Sequence, residues 1–469
     1  MAGHRCLFSL VPINERAHEV VGLEHNRGWR AKDLDDKLVL CIGNFTSRSG
    51  NATTLATLGH DEKNDIFVDS TKVAKLQCSF EFNSDTNFVM FYDRSHAMTS
   101  KVYGPMCHPF EQDRPRKVLV QAGFNEFIGF GGENADFIQF QLRWHQDRVG
   151  TLGRAMLLRS IAMRQNANLT ETIIDSDSEL TSPRVTRVSS IEPERSPIRW
   201  LKLGRLGSGS HGEVFQAVNT DDGNLMAVRM MKQRANPRER ELRKARWMRE
   251  VKILSEARHL HIVEYIGARG WDEEMVCIFM GLKEGTLTSV VERGSLPRLE
   301  LSDIVFNHML QAIDFLATKN IVHRDIKPDN ILYVMRTGRH LFQLGDFGLS
   351  TDVAAEASPR GTHIYMAPEL LQRGELTHKA DVWSLFITMI WISGNQQFRG
   401  LCNGNRKSVD RTLEIISECT LSEPEYFERF QEMGRINPQQ RPSAAQLLLR
   451  CYRGKGLTTP IDLILPLDL

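Results

Sequence analysis

Three closely spaced glycines are the first candidates for phosphate chemistry. The segment LGSGSHGEV, residues 206–214, places Gly207, Gly209 and Gly212 in the pattern G-x-G-x-x-G-x-V. Glycine has no side chain, so it lets a backbone turn tightly and approach a phosphate closely. The same spacing occurs in dinucleotide-binding folds and in ordinary glycine hairpins. This segment alone therefore leaves the chemistry open.

Two later segments supply groups that suit a nucleotide with a bound metal ion. The segment IVHRDIKPDN, residues 321–330, contains Asp325, Lys327 and Asn330, and QLGDFG, residues 343–348, contains Asp346. A carboxylate and a neutral amide are hard oxygen donors of the kind that Mg²⁺ prefers. A single aspartate of this kind is usually a solvated loop residue, so the candidate site depends on the combination.

In this order and spacing, the segments resemble the motifs of the eukaryotic Ser/Thr protein kinase family. The resemblance implies a bilobal α+β kinase fold that transfers the γ-phosphate of ATP, with Mg²⁺, to a protein hydroxyl. It makes Asp325 the catalytic base, assigns Lys327 to charge stabilisation, and makes Asn330 and Asp346 the metal ligands. It also implies ATP contacts by Leu206, Gly207, Gly209, Gly212, Val214, Ala227, Arg229, Glu250 and Met280.

One position departs from the family pattern inside the ATP site. The third strand of the family has a lysine after A-x, and MAVRMM, residues 226–231, has Arg229 there. Glu250, in the helical segment that follows, corresponds to the usual acidic partner of that lysine. Lys232 is not a substitute, because side chains alternate along a strand and Lys232 falls on the opposite face.

Two functions from different classes remain open at this point. The intact Asp325, Lys327, Asn330 and Asp346 favour an active kinase. Arg229 favours the alternative, a pseudokinase scaffold with little phosphotransfer. Arginine keeps the charge of lysine but has a larger, planar head group, so we expect reduced ATP binding or turnover.

The region after Asp346 resembles the kinase activation segment and large lobe. The segment GTHIYMAPE, residues 361–369, places Thr362 where Ser/Thr kinases keep a threonine. Glu369 and Arg441 are expected to form a structural ion pair. Phe386 stands where the family usually has glycine, a change that we expect to alter packing on a buried helix.

Regulation by phosphorylation is a further expectation from the resemblance. Arg324 precedes the catalytic aspartate, and in related kinases such an arginine receives a phosphate from the activation loop. The candidate acceptors are Ser350, Thr351 and Ser358.

The N-terminal part alternates as β-strands do from about residue 38 to residue 144. In FIQFQLRW, residues 137–144, the apolar residues Ile138, Phe140, Leu142 and Trp144 fall on one side. Glycine-containing turn signals separate the apolar runs. The pattern predicts an all-β sandwich.

The stretch from Thr57 to Phe82 resembles a forkhead-associated domain, a β-sandwich that reads phosphothreonine and precedes the kinase in checkpoint and meiotic kinases. In this sequence His60 replaces the family arginine, Ala74 a serine and Gln77 a histidine. The donors that would hold a phosphate are therefore missing. The sequence favours a sandwich kept for contacts with a protein partner.

The predicted multidomain organisation has a β-sandwich at 1–149, a flexible linker at 150–198, a kinase domain at 199–452 and a C-terminal tail at 453–469. The linker is rich in Ser, Pro and acidic residues. Within it, TIIDSDSEL resembles a segment that adds a strand to a small ubiquitin-like modifier. Ser182-Pro183 and Ser196-Pro197 are candidate proline-directed phosphorylation sites, with a plain spacer as the alternative.

Composition excludes several further classes of protein. The chain has 59 basic and 58 acidic residues, so its overall charge of +1 indicates neither a nucleic-acid binder nor a membrane-surface binder. The eight cysteines form no C-x-x-C pair, which argues against a zinc ribbon, a redox dithiol or a disulfide framework. With no apolar run long enough to span a membrane, we expect a location in the nucleus or cytoplasm.

Overall fold

The computed structural model describes residues 6–33, 35–43, 47–145, 197–209, 212–352, 363–372, 374–403 and 408–466. It divides into two compact units, Met1–Arg205 with Phe215–Met226, and Leu206–Val214 with Ala227–Leu469. Almost all of the predicted linker, including the segment TIIDSDSEL, lies outside the described residues. The predicted domain boundaries stay a prediction.

The first unit contains two sheets that confirm the predicted all-β N-terminal part. One sheet has the strand order β2-β3-β1-β11-β10-β8 and the other β5-β4-β6-β7-β9. The strands are β1 (Phe8–Pro12), β2 (Arg30–Lys32), β3 (Leu38–Ile42), β4 (Thr54–Gly59), β5 (Ile66–Phe67), β6 (Cys78–Phe82), β7 (Val89–Asp93), β8 (Lys101–Tyr103), β9 (Lys117–Leu119), β10 (Phe127–Gly131) and β11 (Phe137–Trp144).

The predicted alternation is visible in β11. Ile138, Phe140 and Leu142 are buried, and the residues between them are partly exposed. The pairing of β11 with both β1 and β10 places these side chains in the sandwich core. One helix, α1 (Glu15–Gly22), begins after Asn14, whose side chain accepts a hydrogen bond from Ala17 N.

A disulfide joins Cys6 to Cys41, with 5.6 Å between their Cα atoms. The sequence argued against a disulfide framework and did not predict this single pair. Cys41 lies on β3. The residues that directly follow Cys6 pair with β3. Sequence spacing did not reveal the pair, because strand pairing brings together residues that are 35 positions apart.

A five-stranded sheet follows, with the order β12-β13-β14-β16-β15. Its strands are β12 (Trp200–Gly209), β13 (Gly212–Asn219), β14 (Leu225–Lys232), β15 (Tyr265–Arg269) and β16 (Met275–Gly281). Helix α2 (Pro237–Glu256) lies between β14 and β15 in the chain. Asn236 caps its first turn and Pro237 occupies the first helical position, both of which favour a helix start.

The remainder of the second unit is mainly helical, as the resemblance to a kinase large lobe implies. Its helices are α3 (Leu287–Arg293), α4 (Arg298–Thr318), α5 (Pro368–Leu371), α6 (Lys379–Ser393), α7 (Gln396–Asn403), α8 (Val409–Ser422), α9 (Pro424–Phe427) and α10 (Ala444–Tyr452). Short strands between them are β17 (Gly285–Thr286), β18 (Ile321–Val322), β19 (Ile331–Arg336), β20 (Arg339–Leu344) and β21 (Thr351–Asp352). Among the helices described, none has the length and apolar character needed to cross a bilayer.

Helix α6 is the central helix of this unit and is buried along almost its whole length. Phe386 on α6 is 2% exposed. A Cβ atom on Gly434 would lie 2.5 Å from the Phe386 ring, so the facing glycine makes room for the large side chain. The departure from the family pattern therefore concerns packing, as expected.

The predicted ion pair between Glu369 and Arg441 is confirmed. Arg441 is fully buried and donates from Nη1 to Glu369 Oε1 at 2.8 Å and from Nη2 to Oε2 at 3.0 Å. Such a two-pronged pair satisfies both charges and fixes their relative geometry. It joins α5 to the segment that precedes α10.

Two stacked histidines occupy the interior where α4 meets β20. The rings of His261 and His308 are 4.0 Å apart, and both contact the backbone of Phe342. Burial lowers the pKa of His261 to about 3 and that of His308 to about 4, from an ordinary value of 6.5. Both rings are therefore neutral in the folded protein near pH 7.

We expect the protein to lose stability as the pH falls from about 6.5 towards 4. The folded pKa values are depressed, so the unfolded chain takes up protons that the folded rings do not. Each histidine should contribute a slope of about 1.4 kcal/mol per pH unit in this window. His308→Gln should flatten the slope measured by urea unfolding, because it removes one of the two depressed pKa values. An unchanged slope in His308→Gln would contradict the assignment.

Candidate active site

The catalytic-loop candidates come together between β18 and β19. Lys327 Nζ lies 2.8 Å from Asp325 Oδ2. Asn330 Nδ2 donates to Asp325 Oδ2 at 2.9 Å and to the Asp325 carbonyl at 2.8 Å. Asp325 is only 4% exposed, so these donors both hold its carboxylate in place and compensate for its lost hydration.

A buried acid on α6 holds the backbone of this loop. Asp381 is 1% exposed and accepts hydrogen bonds from His323 N at 2.7 Å and from Arg324 N at 2.9 Å. Burial raises the pKa of Asp381, and the two backbone N–H groups oppose that shift. Arg324 adopts a left-handed backbone with φ 70°, so the loop needs such an anchor.

Asp381 was not among the predicted site residues. It begins the segment DVWSL, residues 381–385, whose match to the large-lobe pattern of the family indicates a structural helix. A charged residue within the otherwise apolar run of α6 was the available signal, because buried acids persist where they are hydrogen-bonded.

Asp346, the other predicted metal ligand, follows β20 and lies beside the catalytic loop. Gly345 N donates to Asn330 O at 2.8 Å, and His323 Nε2 lies 3.0 Å from Gly345 O. These contacts connect the two predicted metal-binding segments. Asp346 itself adopts the left-handed conformation, with φ 56° and ψ 75°, and its carboxylate accepts from Gly348 N.

Arg229 lies where the resemblance predicts the ATP-binding residue of β14. It is 5% exposed, and its guanidinium donates to Glu250 on α2 and to Asp346 Oδ1, the latter at 3.2 Å. Burial lowers the pKa of Arg229, but the two carboxylates outweigh burial and keep the pKa above its ordinary value. Lys232 is exposed and pairs with Glu274, which confirms that it faces away.

The glycine loop joins β12 to β13. Gly212 has φ +124°, and a Cβ atom there would lie 2.5 Å from Met230 O, so only glycine fits. Gly207 and Gly209 end β12, where Leu206 is half exposed. Val214 lies on β13, Ala227 on β14 and Met280 on β16, which are neighbouring strands in the sheet.

The donor set fits the predicted metal ion and nucleotide. Asn330 uses its amide nitrogen to contact Asp325, and its amide oxygen and the Asp346 carboxylate are hard donors for Mg²⁺. Within the described part of the chain, the buried Nε of Arg229 has no hydrogen-bond partner. A buried, permanently charged guanidinium suits a phosphate.

Sequence reasoning also missed Arg246 on α2. Its Nε and Nη2 donate to Gly348 O at 3.1 and 2.9 Å, which joins α2 to the segment after Asp346. The available signal was helical spacing, since Arg246 lies one turn before Glu250 and shares its face. Both residues therefore hold α2 against the Asp346 segment.

The candidate phosphorylation sites are only partly described. Ser350 is buried, and its hydroxyl donates to His323 O at 3.3 Å. Thr351 begins β21, while Ser358 and Thr362 lie outside the described residues. Phosphorylation of this segment stays a prediction.

In the sandwich, the positions that the forkhead-associated resemblance aligns with phosphate-reading residues form internal contacts. Gln77 is fully buried, accepts from Ala74 N and donates to the hydroxyls of Thr99 and Ser100, each at 3.0 Å. His60 Nδ1 lies 3.1 Å from Val68 O. Gln77 thus braces two loops of the sandwich without supplying a cation.

Comparison with known proteins agrees with this geometry. The family model described as the protein kinase domain matches residues 200–452, more than half of the chain. The chain belongs to the protein kinase family. The match includes every predicted catalytic and metal-binding residue of this kinase.

Curated relatives carry protein-kinase names, and two of the three below are named as serine/threonine kinases. A probable serine/threonine-protein kinase of Dictyostelium discoideum is 29% identical over 276 residues, 55% of this chain and 53% of the relative. Mitogen-activated protein kinase kinase kinase 2 of Arabidopsis thaliana is 29% identical over 282 residues, 57% and 42% of the two chains. Serine/threonine-protein kinase 10-A of Xenopus laevis is 31% identical over 267 residues, 53% and 27%. This chain thus spans about half, or less, of the length of these relatives.

We expect Glu250→Gln to destabilise the unliganded kinase, because it leaves the buried Arg229 with one ionised partner fewer among the described contacts. The loss of a hydrogen bond to a charged group should lower the free energy of unfolding by about 1.5–3 kcal/mol. The control is Glu274→Gln, which removes the exposed partner of Lys232 and should cost about 1 kcal/mol or less. Equal losses in urea unfolding would contradict the importance of the buried pair.

Proposed function

We propose that the chain is an active protein serine/threonine kinase that transfers the γ-phosphate of ATP to a protein hydroxyl. The observation that carries this proposal is the Asp325 carboxylate held by Lys327 and Asn330. Family membership and the names of the relatives support the class of reaction. A scaffold without catalysis would not need this arrangement of buried polar groups.

Asp325 acts as the base that receives the proton of the substrate hydroxyl. Its carboxylate is oriented before substrate arrives, because Asn330 and Lys327 both contact Oδ2. Such preorganisation lowers the cost of aligning the hydroxyl for in-line attack. Lys327, which already pairs with Asp325, offers its charge to the negative charge that develops during transfer.

Asn330 and Asp346 would hold Mg²⁺, which when bound neutralises charge on the β- and γ-phosphates of ATP. The backbone contacts between Gly345, Asn330 and His323 keep these two ligands in one place. The glycine loop and the residues of β13, β14 and β16 named above would surround ATP.

Arg229 takes the place of the family lysine in this proposal. It forms the pair with Glu250 that the resemblance assigns to lysine, so helix α2 is held as an active kinase requires. Its other terminal nitrogen, Nη1, donates to Asp346, a predicted metal ligand. That contact competes with metal binding, so we propose that the enzyme works with weakened use of Mg-ATP.

The test is magnesium-dependent transfer of ³²P from ATP to a generic basic protein and to the kinase itself. Wild type should label above Asp325→Asn, because the variant removes the base. Arg229→Lys should label more strongly, since a compact ammonium restores the family geometry. Lys232→Arg is the matched control on the exposed face of β14 and should leave labelling unchanged.

Two outcomes would overturn the proposal. Labelling by wild type at the Asp325→Asn level, with activity only in Arg229→Lys, would make the natural protein a silenced kinase. No labelling by any variant, together with no thermal shift on adding Mg-ATP, would make it a scaffold that binds no nucleotide.

We also propose that the N-terminal unit is a forkhead-associated-like sandwich that serves protein contacts and does not read phosphothreonine. Its two sheets and the internal use of Gln77 support this. Calorimetry of the full chain with a phosphothreonine peptide library should show no saturable binding that exceeds the unphosphorylated library. Saturable, phosphate-dependent binding would contradict the proposal. A location in the nucleus or cytoplasm is proposed with it.

A further inference from the structure

Part of the sandwich is covered by residues that the family match assigns to the kinase domain. Residues 200–205 and 215–226 lie inside the matched region, yet they belong to the same compact unit as the sandwich. A separate hydrophobic cluster joins them. It consists of Phe88, Met90, Leu119, Phe124 and Val218, with Tyr92, Leu201, Leu203 and Leu225 packed against it.

The turn between β13 and β14, residues 219–224, is held by the sandwich through its backbone. Three carbonyl groups of this β13–β14 turn accept hydrogen bonds from sandwich residues. The bonds run from Leu119 N to Thr220 O at 2.8 Å, from Asn83 Nδ2 to Asp222 O at 2.7 Å, and from Thr86 Oγ1 to Gly223 O at 2.7 Å. Backbone groups of a surface turn are usually satisfied by water or by the turn itself, so this pattern indicates a fitted contact.

The carboxylate of Asp221 lies at the centre of the contact. Its Oδ2 accepts from Arg114 Nη1 at 2.8 Å, and its Oδ1 accepts from Arg199 Nε at 2.9 Å. The side chains of Asp221, Arg114 and Arg199 are 12%, 7% and 8% exposed. Glu111 pairs with both arginines and completes the cluster. Since buried charges are stable only when paired, removing Asp221 should leave two poorly compensated guanidinium groups.

The shape of the turn also matches the sandwich. Gly223 has φ +76°, and a Cβ atom there would lie 2.8 Å from Met90 Sδ. The positive φ favours glycine, and the absence of a side chain leaves room for Met90. The hydroxyl of Thr220 lies 2.7 Å from His108 Nδ1, and Thr220 is fully buried.

Strand β14 begins at Leu225, immediately after this turn, and carries Ala227 and Arg229. We propose that the sandwich is a permanent clamp on the β13–β14 turn of its own chain, and that Asp221 is a positioning residue that acts on Arg229 through β14. The sandwich thus takes a segment of this chain as its partner. The part that concerns Arg229 rests on the proposed kinase function, whereas the clamp itself does not.

The test uses hydrogen–deuterium exchange of the full-length protein without nucleotide. Asp221→Asn and Arg114→Gln should each speed exchange in peptides covering residues 219–232 by about ten- to hundredfold, as expected from losing charge-assisted hydrogen bonds. Asp222→Asn is the matched control on the same turn, because it keeps the carbonyl that Asn83 contacts. Exchange in α6 serves as the internal reference and should not change.

Nucleotide affinity distinguishes a role of Asp221 in positioning Arg229 from a role in holding the turn alone. Calorimetry with Mg-ATP should show weaker binding by Asp221→Asn, with α6 still protected, because Arg229 is less well placed. Should Asp221→Asn fail to fold, Thr86→Val, which removes one hydrogen bond to Gly223 O, gives a milder disturbance. Its exchange should rise about fivefold in the same peptides, in line with the loss of one neutral hydrogen bond.

Three results would overturn parts of this inference. If the exchange rates of residues 219–232 are the same in Asp221→Asn and Asp222→Asn, the clamp is contradicted. Exchange that rises only before Leu225, with unchanged Mg-ATP affinity, would remove the positioning role of Asp221. Intact exchange effects in a protein that binds no Mg-ATP would contradict the proposed kinase function and leave the clamp standing.

Discussion

The buried charge of Arg229 constrains three parts of the kinase unit at once. Its guanidinium lies on β14, and its carboxylate partners lie on α2 and after β20. Moving such a charge out of water costs several kcal/mol unless it is paired with good geometry. Helix α2 and the Asp346 segment must therefore both lie close to β14 for the fold to be stable. The arrangement of the predicted nucleotide site follows from that requirement.

The catalytic loop also depends on a buried charge that must be compensated, in this case a negative one. Asp381 is a buried carboxylate whose partners are backbone N–H groups of His323 and Arg324. It fixes the main chain from which Asp325 extends, and Lys327 and Asn330 then fix the Asp325 side chain. The residue proposed to receive the proton is thus oriented by a helix more than fifty positions away. The packing of α6 in the core therefore also determines the orientation of the proposed base.

The family pattern and the compact units divide this chain in different places. The kinase match begins at residue 200, whereas the first compact unit extends through Arg205 and includes Phe215–Met226. Sequence motifs identify the residues predicted to bind ATP, so they define the domain by its expected chemistry. Compactness reports which residues bury surface together, and here residues 200–205 and the β13–β14 turn bury theirs against the sandwich. Neither boundary can replace the other.

The sequence by itself determined the kinase family and the all-β character of the N-terminal part, and it supplied the catalytic and metal-binding residues as predictions. Motif spacing and strand alternation are local properties, so FIQFQLRW predicted β11 and the Asp325 and Asp346 motifs predicted their loops. Only the tertiary structure decided that Arg229 bridges Glu250 and Asp346, that Cys6 pairs with Cys41, and that the sandwich holds the β13–β14 turn. The roles of Asp381 and Arg246 also emerged only there. Each of these contacts joins residues far apart in the chain, and their closeness depends on how strands pair and helices pack, which spacing along one sequence does not encode.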